Sequence, residues 1–181
     1  NKKVWWKCHK GEDHEWESTL GNRTKGKGCS VCSNRTIVLS NCIGKTNPEL
    51  AKQWHPTKNA DRTIYNTGAG SHKKVWWKCH KGEDHEWDAS PMDRQQSSGC
   101  PICRNFRVVG SNCLNSTYPN LAKQWHPTKN GAITPYDIVA GTPKKYWWRC
   151  DKGEDHEWFA SPHLRIKDNT GCPICVNKKV V

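Results

Sequence analysis

The chain has 181 residues and carries 29 Lys or Arg against 17 Asp or Glu, which gives a formal net charge of +12 at pH 7. It contains no run of eighteen apolar residues and no secretory signal at its N-terminus, which excludes a membrane-spanning helix and argues against a secreted disulfide protein. Eleven Trp and eleven Cys, beside two Phe and one Met, indicate small cores built on indoles, in units that need a further source of stability.

A fifteen-residue stretch organises the sequence because it occurs three times. It reads KKVWWKCHKGEDHEW at 2–16 and at 73–87, and KKYWWRCDKGEDHEW at 144–158. Cys8, Cys79 and Cys150 are each 71 residues apart, so every module joins this stretch to a connecting segment. The chain is therefore an array of repeats. Because it opens at one repeat and stops after another, we expect it to be a fragment of a longer array.

The first repeat begins with a predicted β-hairpin. Residues 4–8 and 15–17 favour strands, and turn residues at 10–13 lie between them. Alternation along the first strand places Trp6 on the face of the cysteine that follows it, whereas Trp5 lies on the opposite face. We therefore expect Trp6 to pack beside that cysteine.

Each repeat spaces its cysteines and one histidine alike, except that the third repeat has one more residue between the histidine and the next cysteine. Cys-x5-His is followed by a polar, glycine-containing stretch, which predicts a loop at 18–27 of the first repeat, and then by Cys-x2-Cys. Three thiolates and one imidazole suit a single tetrahedral zinc ion. The odd cysteine count argues against a disulfide framework, and the lone histidine argues against an iron–sulfur cluster. The predicted ligands of three zinc ions are Cys8, His14, Cys29 and Cys32, then Cys79, His85, Cys100 and Cys103, then Cys150, His156, Cys172 and Cys175.

Four protein ligands close the coordination sphere of zinc and leave no position for an activated water. The pattern therefore predicts structural zinc and no enzyme in this chain. It also divides the chain into five segments. Zinc repeats are predicted at 1–34, 71–105 and 142–181, and connectors with a short helix at 35–70 and 106–141.

The connectors share a predicted helix. In the first connector a β-prone run at 35–39 precedes Asn47, which we expect to cap a helix that starts at Pro48 and ends before the next proline. An apolar face that contains Trp54 predicts packing against a neighbouring zinc unit. The sequence LAKQWHPTKN recurs unchanged at 50–59 and 121–130.

Two cysteines and four histidines recur outside the predicted ligand sets. Cys42 and Cys113 keep the 71-residue period without a nearby partner of ligand type, which favours buried small apolar side chains. For the histidines we expect surface positions or roles beside the ligands, because each ligand set is complete without them. These histidines are His9, His55, His80 and His126.

The pattern Trp-x-Cys, Gly, His-x-Trp, Arg, Gly-Cys-Pro-x-Cys and a connector like LAxxWHPTKN resembles a family of tandem treble-clef zinc fingers, also described as zinc-ribbon repeats. The likeness covers nearly the whole chain. It implies small zinc-stabilised α+β repeats, in which treble-clef or zinc-ribbon-like hairpin and knuckle units are joined by short helices. It also implies zinc on the twelve residues named above and binding of nucleic acid, and some members look fused to a restriction-type or mismatch-repair-type endonuclease. Ser30 departs from the usual Pro, which should change the rigidity of the knuckle but not ligation.

Basic residues that recur in register with the repeats are the candidates for nucleic-acid contact. They are Lys2, Lys3, Lys7 and Arg23, then Lys73, Lys74, Lys78 and Arg94, then Lys144, Lys145, Arg149 and Arg165. The alternatives are a solvated strand face for the lysines, and a salt bridge or a cation–π contact with an indole for the arginines. Trp5 and its counterparts could stack on bases, although internal packing is favoured.

The sequence therefore predicts a zinc-dependent module that binds nucleic acid, DNA rather than RNA, mainly through phosphate contacts, and that binds no membrane. Nine thiolates remove nine charges and three zinc ions return six, so the metallated chain stays near +9. One alternative is the targeting array of a nuclease whose catalytic domain lies elsewhere in the full-length chain. Another is a zinc scaffold that binds protein in a ribonucleoprotein assembly. Reduced cysteines indicate a reducing intracellular compartment, the cytoplasm or the nucleus.

Overall fold

The computed structural model describes residues 2–96 and 99–176. The chain divides into two compact units, Asn1–Gly99 and Cys100–Val181. Parts of the predicted zinc repeats lie outside the described residues, namely residue 1, residues 97–98 and residues 177–181. None of the helices in the described part of the chain has the length and apolar character needed to cross a bilayer.

The strands of the described residues form three two-stranded antiparallel hairpins, which confirms the predicted hairpin units. The first unit has β1 (Lys3–Lys7) with β2 (Glu15–Thr19) and β3 (Val75–Lys78) with β4 (Glu86–Ala89), and the second unit has β5 (Tyr146–Arg149) with β6 (Glu157–Ala160). Two tryptophans lie directly across each hairpin, Trp6 from Trp16, Trp77 from Trp87 and Trp148 from Trp158. Trp77 and Trp148, the counterparts of Trp6, are fully buried, as alternation along the strand predicts.

Seven short helices complete the described structure. They are α1 (Leu20–Thr24), α2 (Ile43–Thr46), α3 (Pro48–Ala51) and α4 (Pro91–Gln96) in the first unit, and α5 (Leu114–Thr117), α6 (Pro119–Ala122) and α7 (Pro162–Lys167) in the second. Together with the hairpins they form small α+β repeats, which is the predicted fold class.

The predicted loop at 18–27 is wrong, because a helix begins directly after the second strand of each hairpin. Hydroxyl side chains start these helices: Thr19 Oγ1 accepts a hydrogen bond from Asn22 N at 3.2 Å, and Ser161 Oγ accepts one from Leu164 N at 3.3 Å. Pro162 at the first turn is a further start signal. Helices of five or six residues are too short to show an apolar period in the sequence.

The predicted connector helix is also shorter than expected. It ends at Ala51 as α3, and the side chain of Asn47 makes no cap hydrogen bond. The chain then leaves the helical path because its backbone pairs with a strand, with His55 N donating to Trp76 O at 3.0 Å. A tertiary contact therefore sets the end of this helix, and local propensity does not.

The β-prone run at 35–39 forms no strand. Its backbone groups bond locally: Arg35 N and Thr36 N both donate to Ser30 O, and Val38 N donates to Asn41 Oδ1 at 2.8 Å. These turns satisfy the groups that a strand partner would otherwise bind.

Each unit contains a fully buried indole and other buried apolar side chains. In the first unit Ile43 and Val31 are inaccessible, like Trp77. In the second unit Trp148 belongs to a buried cluster that also contains Leu114 and Tyr146. Two of the metal-ligating cysteines of the third repeat, Cys150 and Cys172, belong to the same buried cluster as Trp148. Zinc binding and indole packing therefore stabilise the same small unit.

Cys42 and Cys113 are buried small side chains, as predicted. Their thiols donate to backbone carbonyl groups, Cys42 Sγ to Leu39 O at 3.2 Å and Cys113 Sγ to Gly110 O at 3.3 Å. Neither cysteine belongs to a group of the described residues that could hold a metal ion.

Candidate metal centres and basic cleft

Three groups of three cysteines and one histidine come together in the structure. In each group one ligand atom per residue lies within 4.8 Å of the others. The groups are Cys8, His14, Cys29 and Cys32; Cys79, His85, Cys100 and Cys103; and Cys150, His156, Cys172 and Cys175. These are the twelve residues that the spacing predicts, and each group is able to hold one zinc ion.

The distances within the first group fit a tetrahedral zinc site. Cys8 Sγ lies 3.8 Å from Cys32 Sγ, and His14 Nδ1 lies 3.3 Å from Cys32 Sγ and 3.9 Å from Cys29 Sγ. Zinc–sulfur bonds of about 2.3 Å and zinc–nitrogen bonds of about 2.0 Å place tetrahedral ligand atoms about 3.5–3.8 Å apart. A disulfide needs about 2.05 Å between its sulfur atoms, so these cysteines are not bonded to one another.

The third group has the same geometry. Cys150 Sγ lies 3.6 Å from Cys175 Sγ, and His156 Nδ1 lies 3.2 Å from Cys175 Sγ and 3.7 Å from Cys172 Sγ. The first group reaches these distances with Ser30 in place of the usual Pro, so that departure leaves the ligand positions unchanged.

His14 and His156 present Nδ1 to the sulfurs of their groups, and the surroundings of His14 position its ring. On the other side of the His14 ring, Nε2 lies 3.3 Å from Ser40 Oγ. The adjacent Asp13 accepts a hydrogen bond from Ser40 N, and this bond lowers the pKa of Asp13. A side chain at Gly11 would place its Cβ 2.5 Å from the His14 ring, so the glycine of the turn leaves room for the ligand.

The free thiols of a group differ in acidity. Burial is the larger cause and hydrogen bonding with neighbouring thiols the smaller one, and together they raise the pKa of Cys32 and of Cys175 to about 11. Burial also acts to raise the pKa of Cys29, but backbone N–H donors outweigh it and the pKa is lowered. Zinc must therefore displace a proton from Cys32 and from Cys175 when it binds the first and third groups.

An arginine from the helix after each hairpin lies over the paired indoles. The Arg94 guanidinium is 5.3 Å from the ring centre of Trp77 and 5.1 Å from that of Trp87. Arg165 lies over Trp148 and Trp158, and Arg23 over Trp6 and Trp16, in the same way. These are cation–π contacts between a charged plane and an aromatic face.

Arg94 and Arg165 were candidates for nucleic-acid contact, but only 5% and 4% of their surfaces are exposed. This placement favours the cation–π alternative. Burial lowers the pKa of Arg165 to about 10, while the thiolates of Cys172 and Cys150 act in the opposite direction, so the guanidinium stays cationic at neutral pH. A zinc ion with three thiolates and one neutral imidazole carries one negative charge, which this buried cation offsets. We assign these two arginines to packing.

The repeated LAKQWHPTKN sequence provides contacts that sequence reasoning missed. Gln53 Oε1 accepts a hydrogen bond from Arg94 at 2.7 Å, and Gln124 Oε1 accepts one from Arg165 at 2.6 Å. The Trp54 and Trp77 rings meet edge to face with centroids 5.4 Å apart, which agrees with the predicted packing of Trp54 on a zinc unit. The only available signal was the complete identity of ten residues in two connectors.

His55 and His126 are not surface residues, which corrects that part of the prediction. Each is 4% exposed, and Nδ1 of His55 accepts hydrogen bonds from two backbone N–H groups of the following turn. Nε2 therefore carries the ring proton, and it lies 3.0 Å from Glu86 Oε1. Lys58 also pairs with Glu86. The contact with Lys58 has the larger effect and that with His55 the smaller one, and they lower the pKa of Glu86 to about 2.

The predicted lysine contacts divide into two classes. Among the residues that the structure describes, one class is exposed and makes no ion pair: Lys2, Lys3, Lys73, Lys144, Lys145 and Arg149. The other class is paired with a carboxylate on its own hairpin, Lys7 with Glu15, Lys74 with Asp88 and Lys78 with Glu86. Only the first class has its full charge available for a ligand.

A basic cleft lies in the first unit, between the first knuckle and the end of the first connector. Its volume is about 520 Å³, and its lining includes Arg35, Arg62 and Lys73 beside the polar side chains of Asn34, Asn66 and Ser71. None of the described residues that line it is acidic. Arg35 and Arg62 escaped the sequence prediction because they do not recur in the second connector, where Phe106 and Ile133 stand 71 residues later.

A family model described as a probable treble clef zinc finger domain matches residues 1–35, 50–106 and 121–178. The matched ranges cover more than half of the chain and contain all twelve residues of the three metal-binding groups. The second and third matches begin at the first residue of LAKQWHPTKN. A search of curated proteins finds no match to the chain.

Proposed function

The chain belongs to the probable treble clef zinc finger family, and from this premise we propose that it is a zinc-stabilised module that binds the phosphates of nucleic acid, chiefly in the basic cleft of the first unit. The zinc ions have a structural role in this proposal. Each group supplies four protein ligands, which completes a tetrahedral sphere and leaves no position for a water nucleophile. The module is therefore proposed as a binding protein and not as a hydrolase.

The composition of the basic cleft carries the proposal. Three cationic side chains line one concave surface, and none of them makes an ion pair among the described residues. Unpaired cations that share a cleft raise the local concentration of anions, and guanidinium groups bind phosphate oxygens in a two-point geometry. Asparagine and serine side chains in the same lining add uncharged hydrogen-bond donors.

A cavity of the second unit shares two equivalent positions with the basic cleft, Asn105 and Gly141. It has a volume of about 350 Å³, and its other lining residues are Asn112, Thr117, Tyr118, Ala140, His163, Ile166 and Lys167, of which only the lysine is a permanent cation. Arg35 and Arg62 have no basic counterpart there. We therefore propose that the basic cleft is the main phosphate site, and that the unpaired lysines of the three repeats add weaker contacts along the nucleic acid. DNA remains the expected partner.

The net charge supports a polyanionic ligand. A formal charge of +12 favours nucleic acid through release of its condensed counterions, and this effect gives binding a steep dependence on salt. The cleft and the unpaired lysines are where that charge is free of neighbouring carboxylates.

The experiment places a negative charge in the basic cleft without changing the fold. A Cβ atom at Gly70 would meet nothing within 4 Å, and the same is true at Gly141, which occupies the equivalent position of the second unit. Gly70→Glu and Gly141→Glu therefore form a matched pair with the same charge change. Fluorescence anisotropy would measure the affinity of each zinc-loaded protein for duplex DNA, single-stranded DNA and RNA at several salt concentrations.

We expect Gly70→Glu to weaken binding about tenfold and to lower the salt slope by about one for each phosphate that the variant no longer binds. Gly141→Glu should have a much smaller effect. Equal decreases in affinity for the two variants would show that only overall charge matters and would overturn the assignment of the cleft. Absence of salt-dependent binding by the unaltered protein to all three nucleic acids would overturn the function itself.

A further inference from the structure

In two of the three repeats, the preceding connector adds a short third strand to the hairpin. Beside β3, Gln53 O accepts from Lys78 N at 2.7 Å and His55 N donates to Trp76 O at 3.0 Å. Beside β5, the same two bonds measure 2.8 and 3.1 Å, between Gln124 and Arg149 and between His126 and Trp147. Trp54 and Trp125 form the corresponding isolated bridges. This is strand addition within one chain.

Side chains of the connector then cover the hairpin face. Lys58 Nζ lies 4.7 Å from the centre of the Trp76 ring and pairs with Glu86, which also faces His55. In the second unit, Lys129 lies 4.9 Å from the Trp147 ring and pairs with Glu157, which faces His126 at 2.6 Å. The connector thus contacts both the outer tryptophan and the glutamate of the hairpin in each of these two repeats.

The first hairpin is identical to the second over residues 2–16 and 73–87, but no connector pairs with it in the part of the chain that the structure describes. Trp5 is 70% exposed and Val4 is 44% exposed, whereas Val75, the counterpart of Val4, is 2% exposed. Trp5 pairs across its hairpin with Glu17 in the register that Trp76 keeps with Asp88, so its backbone N–H and C=O face the open edge of β1.

The partners that a connector provides are also the ones that this face lacks. Glu15 has one ion-pair partner among the described residues, Lys7, while Glu86 has His55, Lys58 and Lys78. The Arg23 guanidinium donates only to Lys27 O in the described structure, although its counterparts also bind a connector glutamine.

We propose that the open edge of β1, with Val4 and Arg23 on one side of the hairpin and Trp5, Lys7 and Glu15 on the other, is a docking face that binds a connector segment of the LAKQWHPTKN type from a further repeat. In the bound segment, Gln would accept a hydrogen bond from Arg23 and Trp would pack against the ring of Trp6. His and Lys would both contact Glu15, and the same Lys would also lie over the ring of Trp5. Residues 2–16 of the first hairpin are identical to residues 73–87 of the second, which makes the known connector the matching ligand for this surface.

The test uses the zinc-loaded chain and a labelled peptide with the sequence of residues 47–59, which contains the whole LAKQWHPTKN sequence. A control peptide carries alanine in place of Trp54 and His55. Fluorescence anisotropy without nucleic acid measures binding, so the outcome does not depend on the proposed phosphate site. Two variants of the chain make the same change of charge at different places. Glu15→Lys lies on the docking face, and Glu12→Lys lies at an exposed turn residue outside it.

We expect the peptide to bind and the control peptide to bind at least about tenfold more weakly. Glu15→Lys should weaken binding to a similar extent and Glu12→Lys should not, with zinc content and circular dichroism unchanged in both. Equal binding of the two peptides would overturn the proposal, and so would equal binding of the peptide by Glu15→Lys and by the unaltered chain. The peptide would then bind at another surface or displace an internal connector. Concentration-dependent dimerisation that Glu15→Lys abolishes would overturn the assigned source, since a second copy would occupy the face.

Discussion

The side-chain amide of Asn59 forms two hydrogen bonds with the backbone of Trp76. Its Nδ2 donates to Trp76 O at 3.0 Å, and its Oδ1 accepts from Trp76 N at 2.7 Å. Asn130 makes the same pair of bonds with Trp147, at 2.9 and 2.8 Å. The last residue of LAKQWHPTKN therefore satisfies both polar groups of a strand residue and fixes the connector on the hairpin.

Asn59→Ala should lower the free energy of unfolding of the first unit by about 1–3 kcal/mol, because the partly buried N–H of Trp76 loses its acceptor and Trp76 O keeps only the bond from His55 N. Asn120→Ala is the control, since Asn120 is exposed and makes no hydrogen bond among the described residues. Thermal melting of the zinc-loaded proteins measures the difference. An equal shift in both variants would show that the amide contact contributes nothing particular.

The purified chain should hold three zinc ions, and removal of the metal by a chelator should unfold it, because metal binding supplies most of the folding free energy of such small units. Elemental analysis and circular dichroism measure these effects. Cys32 and Cys175, with pKa values raised to about 11, are protonated at neutral pH without metal, so zinc binding should release protons. Two or fewer zinc ions in protein never exposed to chelator would contradict the ligand assignment.

Trp54→Ala should destabilise the first unit by about 3 kcal/mol, the lower end of the range for a tryptophan, because the ring is half-buried against Trp77. Zinc content should not change, since Trp54 supplies no ligand atom to any of the three metal-binding groups. Tyr65→Ala, which removes an aromatic ring that is 60% exposed, is the matched control. Unchanged melting of Trp54→Ala would mean that the connector is not anchored by its indole.

Arg94→Lys separates packing from ligand contact. Lysine keeps the charge but lacks the planar group that lies over two indoles and donates to Gln53 and Gly99. The free energy of unfolding, measured by melting, should therefore fall by about 1–3 kcal/mol. Binding of nucleic acid by the folded fraction should not change. Weaker binding at unchanged melting would return Arg94 to the set of contact residues.

Lys73 and Lys74 are neighbours in the sequence but should differ in their effect on binding. Lys73 lines the basic cleft and makes no ion pair in the described structure, whereas Lys74 Nζ lies 3.0 Å from Asp88 Oδ2. Lys73→Gln should therefore weaken nucleic-acid binding more than Lys74→Gln and reduce the salt slope by about one. Equal effects in a salt titration would argue for diffuse attraction without a preferred site.

The sequence by itself determined the repeats, the hairpins and the twelve metal-binding residues. These features depend on short separations along the chain, such as Cys-x5-His and Cys-x2-Cys, and on the donor chemistry of thiolate and imidazole. Alternation along a strand was also sufficient to separate the fully buried Trp77 from the half-buried Trp76, because successive residues of a strand face opposite sides.

Only the tertiary structure decided the roles of the other recurring residues. Arg94 has the same sequence pattern whether it binds a phosphate or lies over two indoles, and its environment is formed by residues as distant as Gln53. The connector helix ends at Ala51 because a strand residue from the next hairpin binds its backbone. Arg35, Arg62 and Lys73 share a cleft although up to 38 residues separate them in the chain. Contacts of this kind depend on the packing of whole repeats, which local propensity and spacing do not encode.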